Sequence, residues 1–248
     1  MTSRRIKGIL FDLGDTLLDF GPFDGPKLFK AGGKLAYQRL RQLNQPLPTF
    51  RRYFRRQLRA VRWRHVLGHL TGKEFNSLDL ISRISREFGQ HLTDEQFLEL
   101  AWLWYEPLRR RATMEAGLGE MLAALRDAGL TLGIVSNTFV PGEVLDRHLE
   151  QEDLLRHLPI RVYSCEVGYR KPRREVFAAA LRRGALQADE TMFVGDKVRA
   201  DVRGAGRLGM ITVLKDPFGR YDHRNTGADH RIRSLLELPG IVAQYNGS

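Results

Sequence analysis

Residues 6–17 read IKGILFDLGDTL, and the fold turns on this stretch. Ile6 to Phe11 is a short, largely apolar run that ends abruptly at an acid, Asp12. Such a run is the pattern of a strand buried on both faces, as in a parallel sheet. A polar turn, Gly14-Asp15-Thr16, follows immediately. In open α/β sheets, ligand-binding groups gather just past the carboxyl ends of the strands. The sequence therefore places its first chemistry at Asp12.

Working outward, the next run of this kind is Leu130–Val135, and others follow at Ile160–Tyr163, Thr191–Val194, Ile211–Leu214 and, more weakly, Asp229–Ile232. Helical periodicity fills the intervals at Met114–Ala128, Gly142–Leu149, Arg173–Arg183, Val198–Leu208 and Ser234–Leu238. Alternation of strand and helix at this spacing predicts an α/β fold, a Rossmann-like doubly wound parallel sheet with right-handed crossovers. Residues 21–112 break the alternation, because they offer helices only. Thr49 is placed to cap a helix on which Phe50, Tyr53, Phe54, Leu58 and Val61 share a face, and Thr93 with Gln96 forms a capping box ahead of Phe97, Leu100 and Trp104. The expected organisation is a core of residues 1–20 and 113–248, with residues 21–112 inserted as an α-helical, arginine-rich cap subdomain.

Charge separates the two parts. The chain of 248 residues holds 40 Lys and Arg against 29 Asp and Glu, a net +11. Residues 21–112 carry 18 of the basic and 8 of the acidic residues, so +10 of the total lies in the insertion. Between Gly25 and Lys73 there is no acid at all. Three readings of this basic face stand side by side: a solvated helix surface, a field that draws an anionic substrate inward, or a nucleic-acid surface. Tyr53, Phe54 and Trp63 lie among the arginines, at a spacing that favours core packing over base stacking. His65 and His69 stand four apart with no third metal ligand evident and read as a packing or solvated pair. No apolar run approaches the roughly 20 residues that span a bilayer, so no membrane partner is expected. The single cysteine, Cys165, excludes an intrachain disulfide, makes a reducing cytoplasm the expected location, and reads as a small packed side chain. Nothing in the sequence decides between monomer and homodimer.

The polar residues at the strand ends form a set: Asp12 with Gly14 and Asp15, then Ser136 and Asn137, then Lys171, then Asp196, with Asp201 shortly after. A carboxylate such as Asp12 can attack phosphorus and split one hard displacement into two easier ones. Carboxylate and phosphate repel each other, so the site calls for a dication. Mg2+ prefers hard oxygen ligands, which Asp12, Asp196 and a backbone carbonyl supply. Lys171, Ser136 and Asn137 suit the oxygens of a transferring phosphoryl group.

The segments FDLGDTL (residues 11–17), GIVSNT (133–138), GYRKP (168–172) and VGDKVRAD (194–201) resemble, in order and spacing, the four motifs of the haloacid dehalogenase-like hydrolases. ADHRIRSLLEL (228–238) is similar to that family's last strand and helix. The resemblance implies magnesium-dependent hydrolysis of a phosphate monoester, with a small phosphorylated substrate as partner. It makes Asp12 the nucleophile, the Gly14 carbonyl with Asp12 and Asp196 the metal ligands, Ser136 a phosphate-binding group, and Lys171 the balancing cation. Asp201 becomes a carboxylate that either touches the metal or orients those that do. Dehalogenases of this superfamily need no magnesium, and the retained Gly195-Asp196 speaks against that branch. One position departs from the phosphatase pattern: Gly14 stands where such enzymes carry a general acid/base aspartate. Asp15, next door, would point away from Asp12 by strand-like alternation. The departure keeps an alternative in view, a weak or inactive member of the family whose basic cap binds nucleic acid or a protein partner.

Overall fold

The computed structural model describes residues 5–247. Six strands form one parallel sheet: β1 (Gly8–Phe11), β2 (Thr131–Ser136), β3 (Ile160–Tyr163), β4 (Thr191–Gly195), β5 (Ile211–Lys215) and β6 (His230–Ile232), in the order β3-β2-β1-β4-β5-β6. All six expected strands are present, each within two residues of its expected limits. Alternation along β1 sorts its side chains between two apolar layers. Ile9 and Phe11 join a cluster with Ile134 and Val194, while Leu10 joins another with Val135, Phe193 and Phe177. Burial on both faces explains why these strands read as continuous apolar runs.

Between β1 and β2 the chain makes four helices, α1 (Gly25–Gln42), α2 (Phe50–Thr71), α3 (Ser77–Glu87) and α4 (Asp94–Arg109). The Thr49 hydroxyl accepts from the Arg52 N–H, and the Thr93–Gln96 capping box is formed at both ends. Gly32 is required where α1 crosses α4, because a Cβ there would collide with the Trp104 backbone. The chain leaves and re-enters the sheet layer at one place, where Asp19 and Thr113 exchange two backbone hydrogen bonds of 2.8 Å.

The later helices are α5 (Leu118–Asp127), α6 (Gly142–Gln151), α7 (Ser164–Val167), α8 (Arg174–Arg183), α9 (Arg203–Gly206) and α10 (Leu238–Asn246). Three differ from the periodicity reading. The helix expected from Met114 starts at Leu118, because Gly117 adopts φ +83° and the preceding residues form a loop. The stretch expected as one helix over Val198–Leu208 is a π-helical turn, Val198–Val202, running into α9. The last helix extends beyond Leu238, since Pro239 stands in its first turn, where a missing N–H costs nothing. Among the described residues no helix is long and apolar enough to cross a membrane.

One buried polar pair joins an inserted helix to the sheet layer. The Tyr105 hydroxyl of α4 lies 2.9 Å from His148 Nδ1 of α6, and His148 is fully buried. Burial pushes the imidazole down to about 4, helped by the Arg109 guanidinium; Glu106 opposes this, and Glu152 stands 3.7 Å from Nε2. The folded protein thus holds His148 neutral where the unfolded chain, at about 6.5, takes up a proton. Stability should fall as pH drops from about 6.5 towards 4, by on the order of 2–3 kcal/mol from this group. Subtracting the pH–stability curve of His148→Gln from that of the wild type, by urea denaturation, should show this loss. A flat difference would contradict it.

Candidate active site

The strand order reverses direction between β1 and β4, which is the point where doubly wound sheets bind ligands. β1 and β4 pair with Phe11 opposite Val194, and the Asp12 N–H donates to the Val194 carbonyl at 2.8 Å. This register carries Asp12 and Asp196 out of the sheet side by side. Asp201 arrives from the π-helical turn, where its Oδ2 accepts from the Lys197 N–H at 2.9 Å. Gly195 makes room for it: a Cβ there would stand 2.5 Å from the Asp201 Cγ. Carboxylate oxygens of Asp12, Asp196 and Asp201 consequently lie within 4.8 Å of one another.

Three carboxylates this close would repel strongly without a cation. Lys171 supplies one, its Nζ 2.8 Å from Asp12 Oδ1 and 2.8 Å from Asp201 Oδ1, with Phe193 beneath it at 5.2 Å. Burial alone would lower the ammonium's pKa, but the two carboxylates outweigh it and hold it above its usual value. Burial raises Asp201, with Lys171 pulling it back. Asp196 is raised by burial too and is offset by Lys197, whose Nζ stands 2.9 Å away. Asp12 Oδ1 also accepts from the Leu13 N–H at 2.8 Å. Among the described residues, Asp12 Oδ2 has no hydrogen-bond donor, nor does the Gly14 carbonyl, and the buried Ser136 hydroxyl has no hydrogen-bond partner.

Asn137 takes a different place from the one its sequence position suggests. Its amide is committed to Lys171 at both ends, accepting from the lysine N–H at 2.6 Å and donating to the lysine carbonyl at 3.1 Å. It braces the lysine, and its second amide N–H and its backbone N–H remain for a phosphoryl oxygen. Asp15 differs too. The chain has left the strand by then, and Asp15 adopts φ +61°, a conformation aspartate tolerates better than most residues. Its carboxylate is half-exposed and lies 3.9 Å from the Lys197 ammonium, on the side of Asp196. Lys197 was not visible as a site residue in the sequence, although its place beside Asp196 in the last motif was a signal. At Gly14, an added Cβ would meet only the Phe20 ring, at 3.5 Å and beyond, so a side chain fits there.

The loop that carries Lys171 is stitched to the inserted helices. Lys73 and Tyr169 form an antiparallel bridge, the Arg170 N–H donates to the Gly72 carbonyl, and the Arg170 guanidinium meets Glu74 at 3.2 Å. On α2, Arg51, Arg52, Arg55, Arg59 and Arg62 are exposed, whereas Arg56 pairs with Glu87 at 2.7 Å. Tyr53 is buried and Phe54 stacks on Phe50, so both are core side chains; Trp63 is 65% exposed. The side chain of His69 lies outside the described residues. Cys165 is packed, donates to the Val140 carbonyl at 3.2 Å, and is pushed up to about 12, first by burial and then by Glu166.

A buried acidic cluster compensated by Lys171 and Lys197 at the switch point of a parallel sheet has the form of an enzyme active site on an α/β fold. The family model described as haloacid dehalogenase-like hydrolase matches residues 6–209, and the chain belongs to that family. It is 25% identical to the ribulose-1,5-bisphosphate 5-phosphatase of Halopiger xanaduensis, over 95% of this chain and 98% of that one. It is 27% identical to the glyceraldehyde 3-phosphate phosphatase of Pyrococcus furiosus, over 99% of this chain and 96% of that one. In fold it is similar to the crystal structure of a HAD phosphatase from Thermococcus onnurineus, with a TM-score of 0.61 and 24% identity over 96% and 98% of the two chains.

Removing Lys171 leaves buried carboxylates without their cation. Lys171→Met should cost about 3–5 kcal/mol at neutral pH in the presence of chelator, as breaking buried ion pairs does elsewhere. Part of the loss should return as the pH is lowered and the acids take up protons. Urea denaturation at two pH values checks both statements; a midpoint like that of the wild type would refute them.

Proposed function

We propose that this protein hydrolyses a small phosphate monoester through an aspartyl-phosphate intermediate on Asp12, with magnesium as cofactor. The observation that carries the reading is the convergence of Asp12, Asp196 and Asp201, two of them held by the buried Lys171 ammonium, with a Ser136 hydroxyl that has no hydrogen-bond partner among the described residues. The two full-length relatives, named for phosphatase activity on ribulose 1,5-bisphosphate and glyceraldehyde 3-phosphate, support it.

The donor set fits the metal. Asp12 and Asp196 offer hard anionic oxygens, and the Gly14 carbonyl has no competing donor among the described residues. Bound there, magnesium would offset the negative charge of the phosphoryl oxygens. The remaining work falls to the chain's own groups. Asp12 Oδ1 is pinned by Lys171 and the Leu13 N–H, which leaves Oδ2 as the attacking atom. Oδ2 bonds to phosphorus, the ester P–O bond breaks, and the leaving oxygen departs with its electron pair. Ser136 and Lys171 receive the phosphoryl oxygens. Water then attacks phosphorus, releasing phosphate and restoring the Asp12 carboxylate. Asp201 acts through Lys171, which it holds in place.

Activity should vanish in excess chelator and return with Mg2+. Asp12→Asn should abolish turnover with little change in fold, and Asp196→Asn should weaken metal affinity and rate together. Full activity in chelator would refute the assignment.

Gly14 leaves the departing oxygen without a proton donor at that position. Aryl or acyl phosphates should therefore react much faster than alkyl ones, with a steep dependence of rate on leaving-group pKa. Gly14→Asp, which the Phe20 contact permits, should accelerate alkyl phosphates by up to roughly 10²-fold, the lower bound for general acid catalysis, and flatten the dependence. Brisk wild-type turnover of an alkyl phosphate, unimproved by the substitution, would show that another group supplies the proton.

A further inference from the structure

Beside the acidic cluster lies a cleft of about 1090 Å³ whose lining contains no acidic side chain. Asn137 and Lys171 form part of its wall, so it adjoins the catalytic residues through these two. Its cations beyond Arg170 and Lys171 come from three separate segments. Arg173 stands at the start of α8, Lys197 follows Asp196, Arg224 comes from the loop between β5 and β6, and Arg199, Arg203 and Arg207 follow one another at intervals of four. That spacing sets the last three on one helical face, along the π-helical turn and α9. Among the described residues none of the five arginines has a carboxylate within salt-bridge distance. Lys197 is the only one of the six engaged with acids, Asp196 and Asp15.

Lys171 and a dication already answer the charge of one transferring phosphoryl group. Five unpaired guanidiniums along the adjoining wall are surplus to a monophosphate. Guanidiniums pair with phosphate through planar, bidentate hydrogen bonds, and a cleft lined by one sign of charge concentrates its field. The volume suits a whole small ligand. Its wall on the side of the inserted helices is the end of α2, with Gly68, Leu70, Thr71 and Gly72. Tyr221 is the one aromatic side chain in the lining, far short of the succession of stacking surfaces that holds single-stranded nucleic acid.

We infer that the arginine cleft is a second anion subsite, and that the substrate is a small phosphomonoester bearing a second phosphate away from the scissile one. The inference rests on the phosphatase reading above, which makes the group at Asp12 a phosphate. The Arg199–Arg203–Arg207 face, together with Arg173 and Arg224, binds the group that does not react.

Binding can be read without turnover. In the full-length Asp12→Asn protein with magnesium, titration calorimetry would compare ribulose 1,5-bisphosphate with ribulose 5-phosphate. The bisphosphate should bind at least about tenfold more tightly, the equivalent of one good charge-assisted contact. Adding Arg199→Gln and Arg203→Gln should bring the two affinities to within about twofold of each other, with the thermal midpoint retained. If that variant does not fold, single Arg203→Gln and Arg224→Gln variants are read for the same loss of preference. Equal affinity in the parent, or a preference that survives the substitutions, would overturn the subsite. So would a single-stranded oligonucleotide that displaces the bisphosphate more tightly than the bisphosphate binds. Failure of the phosphatase reading itself would look different: the unsubstituted protein would show no magnesium-dependent turnover of p-nitrophenyl phosphate, a probe with no second anion.

Discussion

A single ammonium held between two buried carboxylates organises the molecule's working end. Lys171 is almost completely inaccessible, and so is Asp201. Neither charge would be tolerable there alone, since isolated ions in an apolar interior cost several kcal/mol each. Much of the surrounding detail follows from keeping the pair together. Gly195 gives Asp201 the room of a missing side chain, and Asn137 fixes the lysine's backbone from both sides. Arg170 and Glu74, next along the chain and across the gap, tie the same loop to the inserted helices. The lysine's position is thus set from the sheet, from the neighbouring loop and from the insertion at once.

Charge elsewhere is arranged on a different footing. The buried acids are few and compensated at hydrogen-bonding distance, so salt screens them little. The cations of the cleft and of α2 are exposed, numerous and mostly unpaired, and their field decays over about 8–10 Å at physiological ionic strength. A compact negative centre is thereby ringed by a diffuse positive approach. Lys197 belongs to both, exposed at its tip yet in contact with Asp196.

The sheet was legible because burial on both faces leaves an unambiguous apolar signature, and Asp12 and Asp196 stood out because each directly follows such a run. Capping at Thr49 and Thr93 was equally plain, being a matter of neighbours three residues apart. What escaped the sequence was set by distant contacts. The bracing of the Lys171 backbone by the Asn137 amide has no trace in the local sequence, since the two residues are 34 apart. At Asp15 strand alternation no longer applies, because the strand stops at Phe11 and the residue adopts a positive φ. The π-helical turn at Val198–Val202 has apolar spacing that passes for an α-helix, although its geometry is what delivers Asp201. The arginine cleft draws on residues from 173 to 224, and no local pattern announces that they face one space. The Tyr105–His148 pair was likewise beyond reach, since it joins residues 43 apart.

One apolar cluster runs without interruption from Leu40, Tyr53, Leu100 and Tyr105 of the inserted helices to Ile9, Ile134 and Val194 of the sheet. Connectivity along the chain suggests a part that was added and could be taken away. The side chains describe something else. Cutting the chain at the Asp19–Thr113 junction would open the packing of α4 against α6 and leave oily surface on both fragments. Cooperativity follows the packing and not the order of the residues, so the four helices and the sheet should melt together, as one body with two histories.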